Sequence, residues 1–429
     1  MTSTEIATVL GRRVWDSRGH PTVEAEVHLR IGARGRAIAP TGASTGSGEA
    51  VDLRDGGDRL QGLDVSRAIA NVNGEIAGAL KGIDAVNQAQ VDKVLIDLDG
   101  TPNKSRLGGN ACVAVSMAVA HAAAATSGQP LWRCLLGDGE AVLPLPQIQI
   151  FGGGAHAGQR VDIQDFLIVA PGADSFAQAL EWSARVYHKA GAIMAERGAL
   201  HGVADEGGWW PAFSTNEEAL GTLVRSIEAA GLTPGDDVAI ALDVAASQFG
   251  RNGRYRLGLE RRELDSDGLA HLLIGWLGRY PIVSVEDPLA EDDEDGWARF
   301  TRAVGGRIQI VGDDLLVTNA ERVHRAAERG LCNAVLLKPN QAGTLTETGA
   351  ALDAARQAGF GAIMSARSGE SEDTTIVRLA VGWGVRQLKV GSFARSERMA
   401  KWNEVLRIEE ALGQEVRFAG ADAFTQARG

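Results

Sequence analysis

Three acidic residues each close a separate apolar run. Asp243 ends "VAIALD", Glu286 ends "YPIVSVE", and Asp313, with Asp314 behind it, ends "IQIVGDD". The next two apolar runs end in bases, Lys338 in "AVLLK" and Arg367 in "GAIMSAR". Charges repeated where buried strands surface point to one polar site at the carboxyl end of a parallel sheet, the end at which barrel enzymes gather their catalytic groups. Three carboxylates there repel one another unless a divalent cation neutralises them. Hard oxygen donors suit magnesium, and no cysteine pair or HExxH segment argues for zinc. A helix cap or a strand-end ion pair would explain any one of these acids more easily than all three. Asp314 fits support of its neighbour or a cap on the following turn.

Lys338 is the best general-base candidate. Its ammonium, with a reference pKa of about 10.4, must be kept neutral by nearby cations and desolvation before it can accept a proton. A structural lysine is the plainer alternative. Lys389 in "QLKVG" sits at another strand end, where it could hold a substrate carboxylate and lower the proton affinity of Lys338. Arg367 and Ser368 offer a fork and a hydroxyl for phosphate, or ion-pair partners. Glu206 in "VADEGGWWP" stands on a tight loop as a general acid, which requires a raised pKa; Asp165 in "VDIQDFLI" is the neighbouring carboxylate, with Gln164 beside it. His156 in "GGGAHAG" faces the substrate or is structural, Trp209 and Trp210 shield the pocket or pack, and Ser44 lies in a hydroxyl-rich loop able to close over metal and substrate.

The elements that must position these groups are legible in outline. Residues 1–60 read as short strands and turns, with Thr22 to Ile31 alternating as a half-buried antiparallel strand. Residues 62–126 read as mainly helical, and the alanine-rich run Ala118–Ala125 as a close-packed helix too short and too weakly apolar for a membrane span. Prolines, a glycine cluster and a switch to apolar segments in "GEAVLPLPQIQIFGGG" put a domain boundary near residue 140, giving units 1–139 and 140–429. Beyond it "DFLIVA", "VAIALD", "PIVSVED", "IQIVGDD", "AVLLKP", "GAIMSA" and "QLKVG" alternate with helical stretches. Thr318–Asn319 and Thr344 stand as caps. Parallel strands with right-handed crossovers follow, in an α/β barrel preceded by a small α+β domain.

A chain of 429 residues exceeds one ordinary core. A net charge of -12, from 43 basic and 55 acidic residues, argues against a general nucleic-acid or anionic-membrane binder while leaving room for an anionic substrate. Cys112, Cys134 and Cys332 form no paired motif and fit a reducing, cytoplasmic setting. The start "MTSTEIATVLGRR" has no secretory pattern.

Several ordered blocks make the chain resemble the enolase family nearly end to end: "WDSRGHPTVEAEV", "GASTGSGEAVDLRD", "LDGTPNKSRLGGNA", "DEGG", "IALDVAAS", "SVEDPLAEDD", "IVGDDLLVTN", "LLKPNQAGTLTE", "RSGESEDT" and "RSERMAKWNEVLRIEEALG". The resemblance implies an N-terminal α+β domain capping an enolase-type (β/α)8 barrel with an irregular first part. It also implies reversible dehydration of 2-phospho-D-glycerate to phosphoenolpyruvate, two magnesium ions per site with the second bound alongside substrate, and a homodimer. On that resemblance Asp243, Glu286 and Asp313 hold the first magnesium and Ser44 the second. Lys338 is the base, Glu206 the acid, Lys389 steadies the doubly charged intermediate, and His156, Arg367 and Ser368 complete the phosphate end. Glu24 and Arg407 resemble an intersubunit ion pair.

The chain departs from the family on the acid side. Asp165 stands where the family's "DIQEF" has glutamate, one methylene shorter, and could displace a hydrogen bond to Glu206 by roughly 1 Å, a shift able to cost about 100-fold in rate. Ala366 replaces the histidine of "SHRSG", Thr41 replaces a serine, "GGWWP" replaces "GGFAP", and Phe151 and Gly152 alter an asparagine-rich stretch. An alternative is therefore a paralogue acting on a related phosphorylated or phosphonate substrate, as carboxyphosphonoenolpyruvate synthase does. A weakly catalytic binding protein on the same fold is a third reading.

Overall fold

The computed structural model describes residues 4–413 and 416–428. The chain opens with an antiparallel meander, β1 (Ile6–Trp15), β2 (Pro21–Leu29) and β3 (Arg34–Ile38). Short helical turns follow, then α1 (Gln88–Asp99) and α2 (Gly109–Thr126). Val23, Ala25, Val27 and Leu29 turn one face of β2 onto α2. Burying a side chain of valine or leucine size contributes about 1.5–3 kcal/mol. β3 also packs on α2, and closely because both partners are small: a Cβ on Gly35 would stand 2.1 Å from the Ala118 carbonyl oxygen and 2.2 Å from the Ala122 nitrogen.

Two expectations change here. β2 is buried on its polar face too, since Thr22 donates to the Ala39 carbonyl and Glu24 is held by Arg12 at 2.7 Å and Arg36 at 3.4 Å. And α2 outruns the alanine stretch: it is long and apolar enough by composition to cross a membrane, but most of it is buried inside the protein.

Eight strands then close a barrel: β4 (Leu145–Gly152), β5 (Asp165–Val169), β6 (Ala239–Asp243), β7 (Ile282–Glu286), β8 (Gln309–Gly312), β9 (Ala334–Leu337), β10 (Gly361–Ser365) and β11 (Gln387–Gly391), with β11 returning to β4. Helices α3 (Phe176–Glu196) and α4 (Asn216–Ala229) both lie between β5 and β6 in sequence. After β6 the alternation is regular, through α5 (Ser266–Leu277), α6 (Glu294–Val304), α7 (Ala320–Arg329), α8 (Leu345–Gln357), α9 (Thr375–Gly382) and α10 (Ser396–Leu412).

The expectation of uniformly parallel strands fails at β5, which is antiparallel to both β4 and β6. An apolar pattern carries no direction, so "DFLIVA" could not reveal this. The reversal matters chemically. β5 begins where its neighbours end, and its register sets Asp165 opposite Asp243 and Gly152.

Asn319 caps α7 by accepting from the Arg322 amide, and Thr344 caps α8 by accepting from the Glu347 amide at 3.2 Å. Such caps contribute about 0.5–2 kcal/mol each. Thr318 is no cap: its hydroxyl accepts from the Lys338 amide and donates to Gln341. Asp92 of α1 joins the two parts of the chain, accepting from Ser116 and Gln88 and, at the start of α8, from the Thr346 amide and hydroxyl.

His121 on α2 makes a second link to the barrel part, bonded to the Thr375 hydroxyl at 2.8 Å and near Arg378 at 3.3 Å on α9. Burial pushes its pKa down to about 4, with Arg378 adding to the effect and Asp373 and Glu404 opposing it. Between the unfolded value near 6.5 and about 4, the unfolded chain binds the extra proton and the folded one does not. Stability should therefore fall as pH drops through this window, by at most about 1.4 kcal/mol per unit from this group. Urea melts of His121→Gln against the parent, from pH 7 to 4, should show a shallower fall in the variant.

Candidate active site

The barrel mouth gathers the charged strand ends. Asp243, Glu286, Asp313, Lys338, Arg367 and Lys389 are all buried there, from β6 round to β11. Backbone strain follows three of the acidic ends: Ala245, Asp287, Val317 and Thr318 hold φ of 46°, 41°, 43° and 53°. Left-handed non-glycine residues cost roughly 1–3 kcal/mol each and persist where the surroundings fix them.

Lys389 is the hub of the acidic cluster. Its Nζ lies 2.7 Å from Asp243 Oδ2, 2.9 Å from both Glu286 oxygens and 3.4 Å from Asp165 Oδ2. Burial alone would lower the pKa of this ammonium, but Asp243, Glu286 and Asp165 outweigh it and hold it well above the ordinary value. Burial, then the charge of Asp243, raise Glu286 well above the usual carboxylate range in spite of Lys389. Gln164 steadies Asp243 through a 2.9 Å amide hydrogen bond.

Lys338 donates to Asp313 Oδ2 at 2.6 Å. Burial, the largest effect, works to deprotonate it, with Arg367 and Lys389 on the same side, yet Asp313 and Glu286 together leave its pKa raised. In this arrangement Lys338 is paired with Asp313, so action as a base requires that pair to open. Asp313 itself is lowered: Lys338 overcomes the effect of burial. Its other oxygen accepts from Gln341 at 3.0 Å.

The donors suit a divalent metal. Three buried carboxylates end three neighbouring strands, and two ammonium groups already sit on them as positive counter-charges. The tightest groups of possible ligand atoms among the described residues are Asp287–Asp313–Asp314 and His156–Asp165–Glu206. Asp243 and Glu286 belong to neither; Lys389 bridges them instead. Asp287 is a brace, since its two oxygens accept from the Asp313 and Asp314 amides at 2.9 Å each. Asp314, which donates that amide, has its own carboxyl pushed up to about 7 by burial and Asp313.

The acid side is built round His156. Its Nδ1 lies 3.1 Å from Asp165 Oδ1 and its Nε2 3.7 Å from Glu206 Oε1. Burial would depress this imidazole, but Glu206 and Asp165 outweigh burial and raise it. Asp165 is held below the usual range: burial would raise it, and His156 and Lys389 prevail. Among the described residues no hydrogen bond joins Asp165 to Glu206. The imidazole stands between them, and Asp165 Oδ2 is buried without a hydrogen-bond partner.

The 40–48 loop folds down on the mouth. Ala43 N donates to Ser368 Oγ at 2.6 Å, and Arg367 donates to the Ser44 carbonyl at 2.9 Å and to Glu49. Ser44 lines the same small cavity as His156, Glu206, Lys338, Arg367 and Lys389. Its volume, about 20 Å³, suits a single water. Trp209 and Trp210 do not line it: Trp209 stacks on Tyr187 with centroids 4.6 Å apart and bonds the Tyr187 carbonyl. Ala366 does line it and brings only a methyl group.

Apart from Trp209 and Trp210, the structure thus brings the singled-out catalytic, substrate and metal candidates to one end of the barrel, Gln164 and Ser368 included. Sequence reasoning missed Gln149, Asp287, Glu49 and Gln341. Gln149 was findable, as the second polar residue of the alternating run "QIQI" entering a barrel strand; Asp287 adjoins Glu286. Glu49 had no local signature, because its partner Arg367 is distant in sequence.

Residues 6–135 match the family model described as the enolase N-terminal domain, and residues 140–427 match the enolase C-terminal TIM barrel domain. With a capped, closed barrel whose charged strand ends meet at one mouth, this chain belongs to the enolase family.

Proposed function

We propose that this protein carries out the reversible, magnesium-dependent dehydration of 2-phospho-D-glycerate to phosphoenolpyruvate. The observation that carries this reading is one cavity lined by a lysine able to act as base, Lys338, and by a carboxyl able to act as acid, Glu206, with Lys389 and Arg367 in the same wall.

Lys338 Nζ would take the C2 proton, after release from Asp313 lets Arg367 and Lys389 lower its proton affinity. Bound by Asp243, Glu286 and Asp313, with a second ion at Ser44, magnesium would supply positive charge opposite the substrate carboxylate as its second negative charge develops. Lys389 would add its fixed ammonium to the same oxygens. Glu206 would then give a proton to the C3 hydroxyl, which leaves as water as the C2–C3 double bond forms. His156, whose Nε2 lies 3.7 Å from Glu206 Oε1, would orient that carboxyl. Arg367 now grips Glu49, so a phosphate taken by Arg367 and Ser368 would compete with Glu49 and move the 40–49 segment.

The same reading places the enzyme in the cytoplasm as a homodimer. Within one chain Glu24 pairs with Arg12, while Arg407 is exposed with Glu404 at 3.3 Å.

A second substrate class is favoured by one feature. Asp165 Oδ2 has no hydrogen bond and Ala366 offers none, so the acid side suits a related phosphorylated or phosphonate substrate with a different leaving group. A turnover assay with 2-phosphoglycerate and magnesium separates the two. Phosphoenolpyruvate formation at rates typical of enzymes, about 1–1000 per second, supports the first reading. A rate near background with metal bound would leave the second.

A further inference from the structure

Gln149 lies at the centre of the barrel strand β4 and is fully buried. Its carboxamide is used at both ends. Nε2 donates to Asp165 Oδ1, the oxygen that also faces His156 Nδ1. Oε1 accepts from the Gly208 amide at 2.9 Å, on the turn that carries Glu206. The fit is tight on the turn side: a Cβ on Gly208 would stand 2.5 Å from Gln149 Oε1, and one on Gly152 would stand 3.1 Å from it. The Glu206 turn is also held by Ser392 N on the Glu206 carbonyl, by Asp205 N on the His156 carbonyl, by Trp209 N on the Ile150 carbonyl and by the Tyr187 hydroxyl on the Gly207 carbonyl.

One amide therefore ties the Asp165 carboxylate to the backbone of the turn that carries Glu206, two groups with no direct hydrogen bond between their side chains among the described residues. Asp165 is one methylene short of the glutamate in the corresponding family block, and Gln149 is the group that reaches it. We propose that Gln149 is the positioning residue of the acid side, matched in length to Asp165, and that it sets where Glu206 stands relative to the leaving hydroxyl. Among the described residues no hydrogen bond joins Gln149 to the base side, Lys338 on Asp313. The proposal rests on the dehydration reaction proposed above.

The test compares Gln149→Leu with the parent enzyme in two assays with 2-phosphoglycerate and magnesium. Water loss should fall about 10- to 100-fold in kcat with KM within about 3-fold, the scale of a misplaced catalytic group. Deuterium exchange at C2 should stay within about 3-fold, because Lys338 is untouched. A parallel fall in both assays would overturn the proposal and mark Gln149 as merely structural. Rescue gives a second arm: Gln149→Asn and Asp165→Glu should each slow water loss, and the double variant, which moves one methylene from amide to acid, should be at least 5-fold faster than the slower single variant. Strictly multiplicative losses would count against a matched pair. If the parent neither exchanges nor dehydrates, the reaction assignment falls instead. Amide exchange of the ligand-free protein then decides: at least tenfold faster exchange at Gly208 in Gln149→Leu, with the other barrel amides unchanged, supports the positioning role, and unchanged protection refutes it.

Discussion

Lys338→Ala should stop exchange of the C2 proton of 2-phosphoglycerate with solvent, and with it dehydration, each by about 10³–10⁴-fold. A positioned general base contributes about 10²–10⁴. The upper part of that range applies because the other ammonium at the mouth, Lys389, lies on a different strand and is engaged by Asp243 and Glu286. The substitution also strips Asp313 of its 2.6 Å partner. Breaking a buried pair costs about 3–5 kcal/mol, so the variant should melt earlier. Activity must be read on the folded fraction, with Lys338→Met as a control that keeps the packing volume. Exchange at the parent rate in either variant would assign the base elsewhere.

Glu206→Gln should separate the two half-reactions. The amide is nearly isosteric and retains an acceptor for the raised imidazole of His156, but it cannot deliver a proton to a departing hydroxyl. Water loss should drop about 10²–10³-fold while C2 exchange remains within about tenfold of the parent. Comparing exchange with product formation in one reaction mixture measures this directly. Equal losses in both would mean that Glu206 acts before or during proton removal, contrary to the assigned order.

Much of the site was legible because charges were set at the ends of apolar runs, where a strand of period two leaves the core. Asp243, Glu286, Asp313 and Lys338 were found in this way, and the barrel brings them together. The direction of β5 was hidden, since reversing an apolar segment leaves its pattern unchanged. Pairings were hidden as well. Nothing local distinguishes a Lys338 free to accept a proton from one bound to Asp313, or an Arg367 open to phosphate from one gripping Glu49. Both pairs join segments remote in sequence and depend on how the mouth closes. The one-methylene shortening at Asp165 was visible, but its consequence was not, because it depends on the imidazole and the Gln149 carboxamide around it.

The central claim is that a buried lysine and an acid-side carboxyl act from one cavity on a single carbon skeleton. Solvent-deuterium exchange at C2 of 2-phosphoglycerate, followed by proton NMR with magnesium present, tests it most directly. Exchange faster than or equal to phosphoenolpyruvate formation, lost in Lys338→Ala and kept in Glu206→Gln, is the predicted result. Bound 2-phosphoglycerate that never exchanges its C2 proton in the parent enzyme would contradict it.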